Sequence, residues 1–139
     1  MKLLMIAILA FCPAIFAWAQ SERMRSMLEH GDVVVSSTGR TADGVLERCN
    51  TPYSEFMAGV FNEKTETRNV PAILESGIAM VKFDSSNGDV RKGDWVTSSA
   101  LPGHCMKATQ PGFVLGVALE NSSPGKLLKV RVQIAWMGY

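Results

Sequence analysis

The residues of this chain that could act in catalysis or bind a metal are few and widely spaced. Its two histidines, His30 and His104, lie in neither a His-x-x-x-His nor a Cys-x-x-Cys pattern. The pair His104-Cys105 alone falls short of the four ligands that a closed zinc site needs. Neighbouring residues of a strand point to opposite faces, so this pair does not form a nucleophile and its base. We therefore predict no metal ligand, no cofactor and no catalytic residue.

Two Gly-Asp pairs, at 31–32 and 93–94, are each followed at the same distance by a Ser-Ser pair, at 36–37 and 98–99. Aspartates of this kind can serve as general acids, bases or metal ligands. However, a glycine followed by aspartate before a strand is also typical of a turn whose carboxylate caps backbone N–H groups. The serines lack the Gly-x-Ser-x-Gly elbow of serine hydrolases. We interpret both sets as structural and predict that the chain is not an enzyme.

The elements around these pairs read as two related halves of one β domain, residues 31–83 and 93–136. Each half begins with Gly-Asp, contains one cysteine, passes through a Gly-Val step and ends in an alternating apolar stretch. Alternation and turn residues predict strands over 32–36, 44–48, 56–62, 70–74, 77–83, 94–98, 104–108, 113–120 and 127–136. Asn87-Gly88 suits a tight hairpin turn. The predicted fold is all-β, a small pseudo-symmetric barrel or sandwich of the β-clip type.

The first 30 residues read as a leader and a connecting arm. Residues 1–19 carry a basic start, an apolar run and an Ala-x-Ala site, as a secretory signal peptide does, so we predict an exported, periplasmic or cell-surface protein. Lipidation at Cys12 is disfavoured by the bulky Phe11 before it. Residues 20–30 predict a short helix or arm, with Met24, Met27 and Leu28 on one apolar stripe. This arm is either a flexible leader or a contact with a partner subunit.

Charge and cysteine content limit the partners and the redox state. Once Lys2 is lost with residues 1–19, thirteen basic and thirteen acidic residues remain, which gives no excess for binding nucleic acid. Nor do we expect stable membrane insertion after cleavage. The mature chain keeps Cys49 and Cys105, at corresponding places of the two halves. In an oxidising compartment they either form a disulfide or stay as two buried thiols.

Aromatic side chains are the strongest sequence indication of a binding surface. Tyr53, Trp95, Trp136 and Tyr139 could anchor a subunit interface or stack on sugar rings. Trp136 continues the apolar face of the last strand, which favours a core position. Together with the stripe of the arm, these residues form our predicted interface: Met24, Met27, Leu28, Tyr53, Trp95, Trp136 and Tyr139.

The segment 77–136 resembles the β-rich C-terminal domain of bacterial and phage tail-fibre-like surface proteins. The resemblance rests on Gly-x-x-x-Val-Lys at 77–82, Val-Arg-Lys-Gly-Asp-Trp-Val-Thr-Ser-Ser at 90–99, Leu-Pro-Gly at 101–103, Met-Lys-Ala-Thr at 106–109 and Gly-Phe-Val-Leu-Gly-Val-Ala-Leu-Glu at 112–120. Earlier in the chain, 31–35 and 59–61 fill the places of two further family strands. β-Clip domains of periplasmic assembly chaperones show a more distant likeness.

The resemblance implies a non-enzymatic structural or assembly subunit of a surface fibre or envelope complex, often a trimer. Self-association or other envelope subunits are therefore the expected partners. Some proteins of this kind carry self-cleaving domains, but we find no residue set for that reaction. A glycan-binding module that uses the aromatics and the loops 62–69 and 121–126 is the alternative.

Overall fold

The computed structural model describes residues 28–36, 46–62 and 73–138, and these residues fold almost wholly as β-structure. The strands are β1 (Val33–Ser36), β2 (Leu46–Arg48), β3 (Met57–Phe61), β4 (Ile73–Leu74), β5 (Ser76–Val81), β6 (Trp95–Ser98), β7 (Cys105–Lys107), β8 (Gly112–Ala118) and β9 (Leu128–Met137). The all-β prediction is confirmed. The predicted signal peptide and almost all of the predicted arm lie outside the described residues.

The strands form two antiparallel sheets. Sheet A has the order β2-β1-β3-β4, and sheet B has the order β5-β9-β8-β6-β7. Within the described ranges neither sheet closes into a barrel. The barrel, one of the two predicted alternatives, is therefore not supported. Phe83, just after β5, makes one isolated parallel bridge to Cys105 of β7.

All nine predicted strands correspond to observed strands, but the predicted hairpin at Asn87-Gly88 is wrong. The preceding strand β5 pairs with β9, whereas the following strand β6 pairs with β7 and β8. The turn is instead a 3-10 turn at Ser85–Asn87, capped by the Asp84 carboxylate. It lies in the connection between β5, at one edge of sheet B, and β6, which is next to the strand at the opposite edge.

The core lies between the two sheets and consists mainly of valine. Its fully buried members include Val33 and Val60 of sheet A, and Leu115 and Val130 of sheet B. The first six residues of β9 alternate between buried and exposed, as expected for a strand with one core face and one solvent face. The alternation of residues 127–136 in the sequence predicts Lys129, Arg131 and Gln133 on the solvent-facing side, and all three are exposed in the structure.

The two halves share one hydrogen-bonded unit. In the first, Gly31 N–H donates to Phe61 O at 2.9 Å, and Phe61 N–H donates to Asp32 O at 2.8 Å. In the second, the Gly93 and Asp94 backbone makes the same two bonds with Ala118, both at 2.8 Å. The flanking pairings agree as well, because β2-β1-β3 of sheet A corresponds to β7-β6-β8 of sheet B.

The register of this unit corrects the predicted equivalence of the two cysteines. Cys49 N–H donates to Val33 O, and its counterpart in the second half is Ala108 N–H, which donates to Trp95 O. Cys105 pairs with Ser98 of β6, as Leu46 pairs with Ser36 of β1. The cysteines are therefore three positions apart in the repeat, and their similar spacing in the sequence is coincidental.

Candidate functional site

The Gly-Asp turns are built in the same way in both halves. Each glycine has a positive φ, 89° at Gly31 and 95° at Gly93, which is a backbone conformation that side chains rarely adopt. Each aspartate accepts a hydrogen bond on Oδ2 from the backbone N–H three residues earlier, at 2.7 Å for Asp32 and at 2.9 Å for Asp94. The carboxylate thus caps its own turn, as the sequence interpretation expected.

Tertiary structure makes the first turn the centre of a charged cluster, which we define as Glu29, Asp32, Arg48 and Lys82. The Asp32 side chain is completely buried, and its Oδ2 accepts a hydrogen bond from Arg48 Nε at 2.8 Å. Its Oδ1 lies 2.7 Å from Lys82 Nζ, which is an ion-pair contact. Glu29 completes the cluster with contacts of its carboxylate to Lys82 at 2.5 Å and to Arg48 at 3.4 Å.

The charged cluster is balanced, with two carboxylates facing two cations. The hydrogen bond and the charge of Lys82, and then the charge of Arg48, hold the pKa of Glu29 below its ordinary value. Burial disfavours the charged form of Lys82, but its contacts with Asp32 and Glu29 outweigh that effect and raise its pKa. The cluster joins the start of β1 to β2 and to the end of β5. Its chemistry is that of a partly buried structural ion-pair network, in which the fully buried carboxylate of Asp32 is paired with two cations.

The second Gly-Asp turn has a much weaker version of this arrangement. Asp94 keeps about a third of its side chain exposed, at 34%, and the cation that it faces among the described residues, Lys107 Nζ, is 3.9 Å away. Lys107 pairs with β6 at the place where Arg48 pairs with β1. The repeat therefore preserves the position of the ion pair but buries only one copy of it.

Asp84, Ser99 and His104 also approach one another, but their hydrogen bonds are not those of a catalytic triad. Ser99 Oγ donates to Asp84 Oδ2 at 2.5 Å, and His104 Nδ1 lies 2.8 Å from the carbonyl oxygen of Pro102. Burial raises the pKa of Asp84, but the hydrogen bonds from Ser99 and Ser86 outweigh it and lower that pKa. The serine hydroxyl donates to the carboxylate rather than to the imidazole, so these three residues do not form a Ser-His-Asp triad.

The two cysteines are free, buried thiols, and the disulfide that the sequence allowed is not formed. Cys49 lies in a segment after β2, and its Sγ donates to Thr51 O at 3.4 Å. Cys105 lies in β7, and burial raises the pKa of its thiol to about 12. Both thiols are members of the hydrophobic core, where they pack as small apolar side chains.

Of the predicted interface residues, Met24, Met27 and Tyr139 lie outside the described residues. Leu28 is buried against the domain. Tyr53 is half-buried and structural, because its hydroxyl accepts hydrogen bonds from Thr109 N–H at 2.9 Å and Gln110 N–H at 3.2 Å. Leu28 is therefore not available for contact with a partner, and the Tyr53 hydroxyl is already bonded within the domain.

Trp95 belongs to an exposed surface that the sequence did not predict as a unit. The outer face of sheet B carries one row of cross-strand neighbours, Trp95-Val117-Arg131-Ile78, with the Met80-Lys129 pair beside it. Ile78 is 56% exposed, and Met80 and Trp95 are each 37% exposed. We call these six residues the outer face. Alternation in the sequence indicates parts of it separately: Ile78, Met80 and Lys82 share one side of the strand predicted at 77–83, and Lys129 and Arg131 share one side of the strand predicted at 127–136.

Trp136 is 64% exposed, so the predicted core position is wrong. Its strand, β9, extends beyond its partner β5. The pairing of β5 with β9 ends at Gln133, and beyond that point β9 pairs with β8. The indole rests edge-on against Phe113, with ring centroids 5.1 Å apart at an interplanar angle of 78°. Trp136 is an even number of residues from the buried Val130 and Val132, as a residue on the core side of β9 would be, but it lies beyond the last buried residue of this strand.

A depression lined by Phe83, Asp89 and residues 122–125 has a volume of about 80 Å³, well below that of typical small-molecule sites. Among the residues that the structure describes, we find no group of three His, Cys, Asp or Glu side chains placed to hold a metal ion. A search of residues 28–36, 46–62 and 73–138 also finds no helix long and apolar enough to span a bilayer.

The sequence did not identify the partners of Asp32. Arg48 ends a short strand and Lys82 directly follows an alternating one, and neither position is distinctive until the strands are paired. Comparisons with known proteins add no further assignment: no protein-family model, no curated protein and no solved structure matches this chain.

Proposed function

We propose that this chain is an exported, non-enzymatic structural protein whose β domain assembles as a subunit of a surface fibre or envelope complex. The signal-like segment at 1–19 and the resemblance to tail-fibre-like domains support export and assembly. The observation that carries the proposal is the outer face of sheet B. We further propose that the shared unit of the two halves reflects a pseudo-symmetric sandwich of the β-clip type.

The outer face has the character of a protein interface. Its apolar members come from β5, β6 and β8, and the strand register places them in adjacent rows on one face of the sheet, on both sides of Arg131. Soluble monomers rarely expose large contiguous apolar patches, and such patches commonly mark protein–protein contacts. Tryptophan and arginine, both present here, are enriched among the residues that dominate binding energy.

The path of the chain also suits a domain that is held from one end. Lys82 N–H donates to Gly31 O at 2.9 Å, which places the start of the domain beside the end of β5. Val81, the last residue of β5, pairs with Leu128, the first residue of β9, so the start of the domain also lies beside the start of β9. Trp136 lies near the other end of this ten-residue strand, a span of about 33 Å. A tether on the N-terminal side would therefore leave Trp136 at the far tip.

Site-specific photocrosslinking in producing cells tests the proposal. A photoreactive amino acid at Ile78 should give a cross-linked species of higher mass, either with a second copy or with another envelope subunit. The same substitution at exposed Glu55, in the turn before β3, is the control and should give none. An Ile78 variant that stays uncross-linked, in a protein that is a monomer by light scattering, would refute assembly through this face. Mass spectrometry of the mature N-terminus tests export at the same time.

A glycan-binding role is the second candidate, and the exposed indole of Trp136 is the observation that favours it. The ring lies edge-on against Phe113, and its exposed surface is of the kind that stacks on sugar rings. Trp136→Ala should abolish binding to any glycan that the wild-type protein retains on an array. Absence of binding above background by the wild-type protein would remove this candidate.

A further inference from the structure

We infer that the outer face of sheet B binds an acidic protein segment that also carries apolar side chains, rather than the same face of a second copy. This inference rests on the proposed assembly function and names the chemistry of the partner. It is carried by two cations that stand among the apolar residues of the outer face and have no acidic partner there.

Lys129 and Arg131 are the two cations. Both project from the solvent side of β9, two residues apart, and the described residues form no ion pair with either of them. An acidic residue that contacts this strand is Glu120, whose carboxylate accepts the Lys129 backbone N–H at 3.0 Å. Since that carboxylate is held at the backbone, the row of Arg131 is left with positive charge alone.

The spacing of the outer face fits an extended acidic segment. Residues i and i+2 of a strand lie about 6.8 Å apart, so Lys129 and Arg131 match carboxylates placed on every second residue of a partner strand. Met80 pairs with Lys129 and Ile78 pairs with Arg131, so each cation has an aliphatic neighbour from β5. A partner that places acidic and apolar side chains on one side would satisfy both kinds of contact.

Charge argues against self-association through the same face. A two-fold contact uses one patch twice, and it would bring two copies of Lys129 and Arg131 into one interface. Like charges brought together at an interface are unfavourable and serve to reject wrong partners. An acidic polysaccharide would satisfy the cations and could stack on Trp95. However, it would leave Ile78 and Met80 without apolar contacts, so a protein segment accounts for more of the surface.

Selection from a library of random 12-residue peptides displayed on phage tests the inference, with the purified protein as bait. We expect the enriched peptides to combine an excess of Asp and Glu with apolar residues. Their affinity should fall about tenfold or more for the double variant K129E/R131E, and it should weaken as salt is raised. The matched control is R91E/K92E, which makes the same change of net charge in an exposed turn and should change the affinity less than about twofold.

Three results would overturn the inference: no enriched peptide, enriched peptides without an acidic excess, or equal binding by K129E/R131E. Polygalacturonate that binds with the same dependence on these cations, while no peptide is enriched, would assign the face to an acidic polysaccharide instead. The Ile78 cross-link separates this inference from the proposed function. A cross-link that persists unchanged in K129E/R131E contradicts only the acidic partner, whereas its absence in the wild-type protein contradicts assembly itself.

Discussion

The two Gly-Asp turns offer an internal comparison of one motif in two environments. We predict that Asp32→Asn destabilises the protein far more than Asp94→Asn does. Both substitutions keep the size of the side chain, so neither opens a cavity. Both asparagines can still accept the capping hydrogen bond from the backbone N–H three residues earlier. The difference then comes from the cations that each carboxylate neutralises.

At Asp32 the loss is large because the site is fully buried. The asparagine amide N–H group would face Arg48 or Lys82, donor against donor, where the carboxylate accepts Arg48 Nε at 2.8 Å. Removing one member of a buried ion pair commonly costs about 3–5 kcal/mol. Arg48 and Lys82 keep 36% and 19% of their side chains exposed, so water can solvate them in part. We therefore expect a loss near the lower end, about 3 kcal/mol.

At Asp94 the same change should cost under about 1 kcal/mol, since exposed ion pairs contribute little. Lys107 is 3.9 Å away and can turn toward solvent. Urea unfolding followed by tryptophan fluorescence measures both variants. With an m-value of about 1.5 kcal/mol/M, the difference of about 2 kcal/mol separates the two midpoints by about 1.3 M. Unchanged m-values would show that the denatured state is not altered.

A double-mutant cycle tests whether the loss comes from the ion pair. Lys82→Met should cost less in the Asp32→Asn background than in the wild-type protein, with a coupling of about 1–2 kcal/mol. Equal destabilisation by Asp32→Asn and Asp94→Asn, or strictly additive effects of Asp32→Asn and Lys82→Met, would refute the reasoning. The fully buried carboxylate would then be stabilised by its local turn alone.

Three further predictions concern single residues. A Cβ at Gly116 would overlap the carbonyl oxygen of the paired strand, so Gly116→Ala should destabilise the protein by about 3 kcal/mol or more in the same urea assay. Gly125 has a positive φ but open space around it, so Gly125→Ala should cost only about 1 kcal/mol. The buried thiol of Cys105, with its pKa raised to about 12 from an ordinary 9.0, ionises only in the unfolded chain as pH rises above 9. The contribution of this thiol to the free energy of unfolding should therefore be fully present below pH 9, and it should fall by about 1.4 kcal/mol by pH 10. Cys105→Ala should remove this pH dependence. If the same decrease persists in the variant, the prediction is wrong. Tyr53→Phe deletes the hydroxyl that accepts two backbone N–H groups and should cost about 1 kcal/mol; a thermal melt unchanged from wild type would show that water replaces it.

The strands could be predicted from the sequence because their determinants are local. Alternation of apolar and polar residues, together with Gly, Pro and Asn between them, located all nine strands before any pairing was known. Pairing is a non-local property, and there local patterns were misleading. Asn87-Gly88 has the residues of a hairpin turn but joins two strands that are not neighbours in the sheet.

The sequence by itself therefore determined the all-β class, the two related halves and the capping role of each Gly-Asp turn, because backbone preferences within a few residues decide them. Only the tertiary structure decided that Asp32 is buried against Arg48 and Lys82 while Asp94 stays near solvent, because burial depends on which strands pack over each turn. It also placed Trp136 beyond the core and set Trp95, Val117, Arg131 and Ile78 in one row. That row exists only through the register of four strands, and no local pattern fixes a register between distant segments.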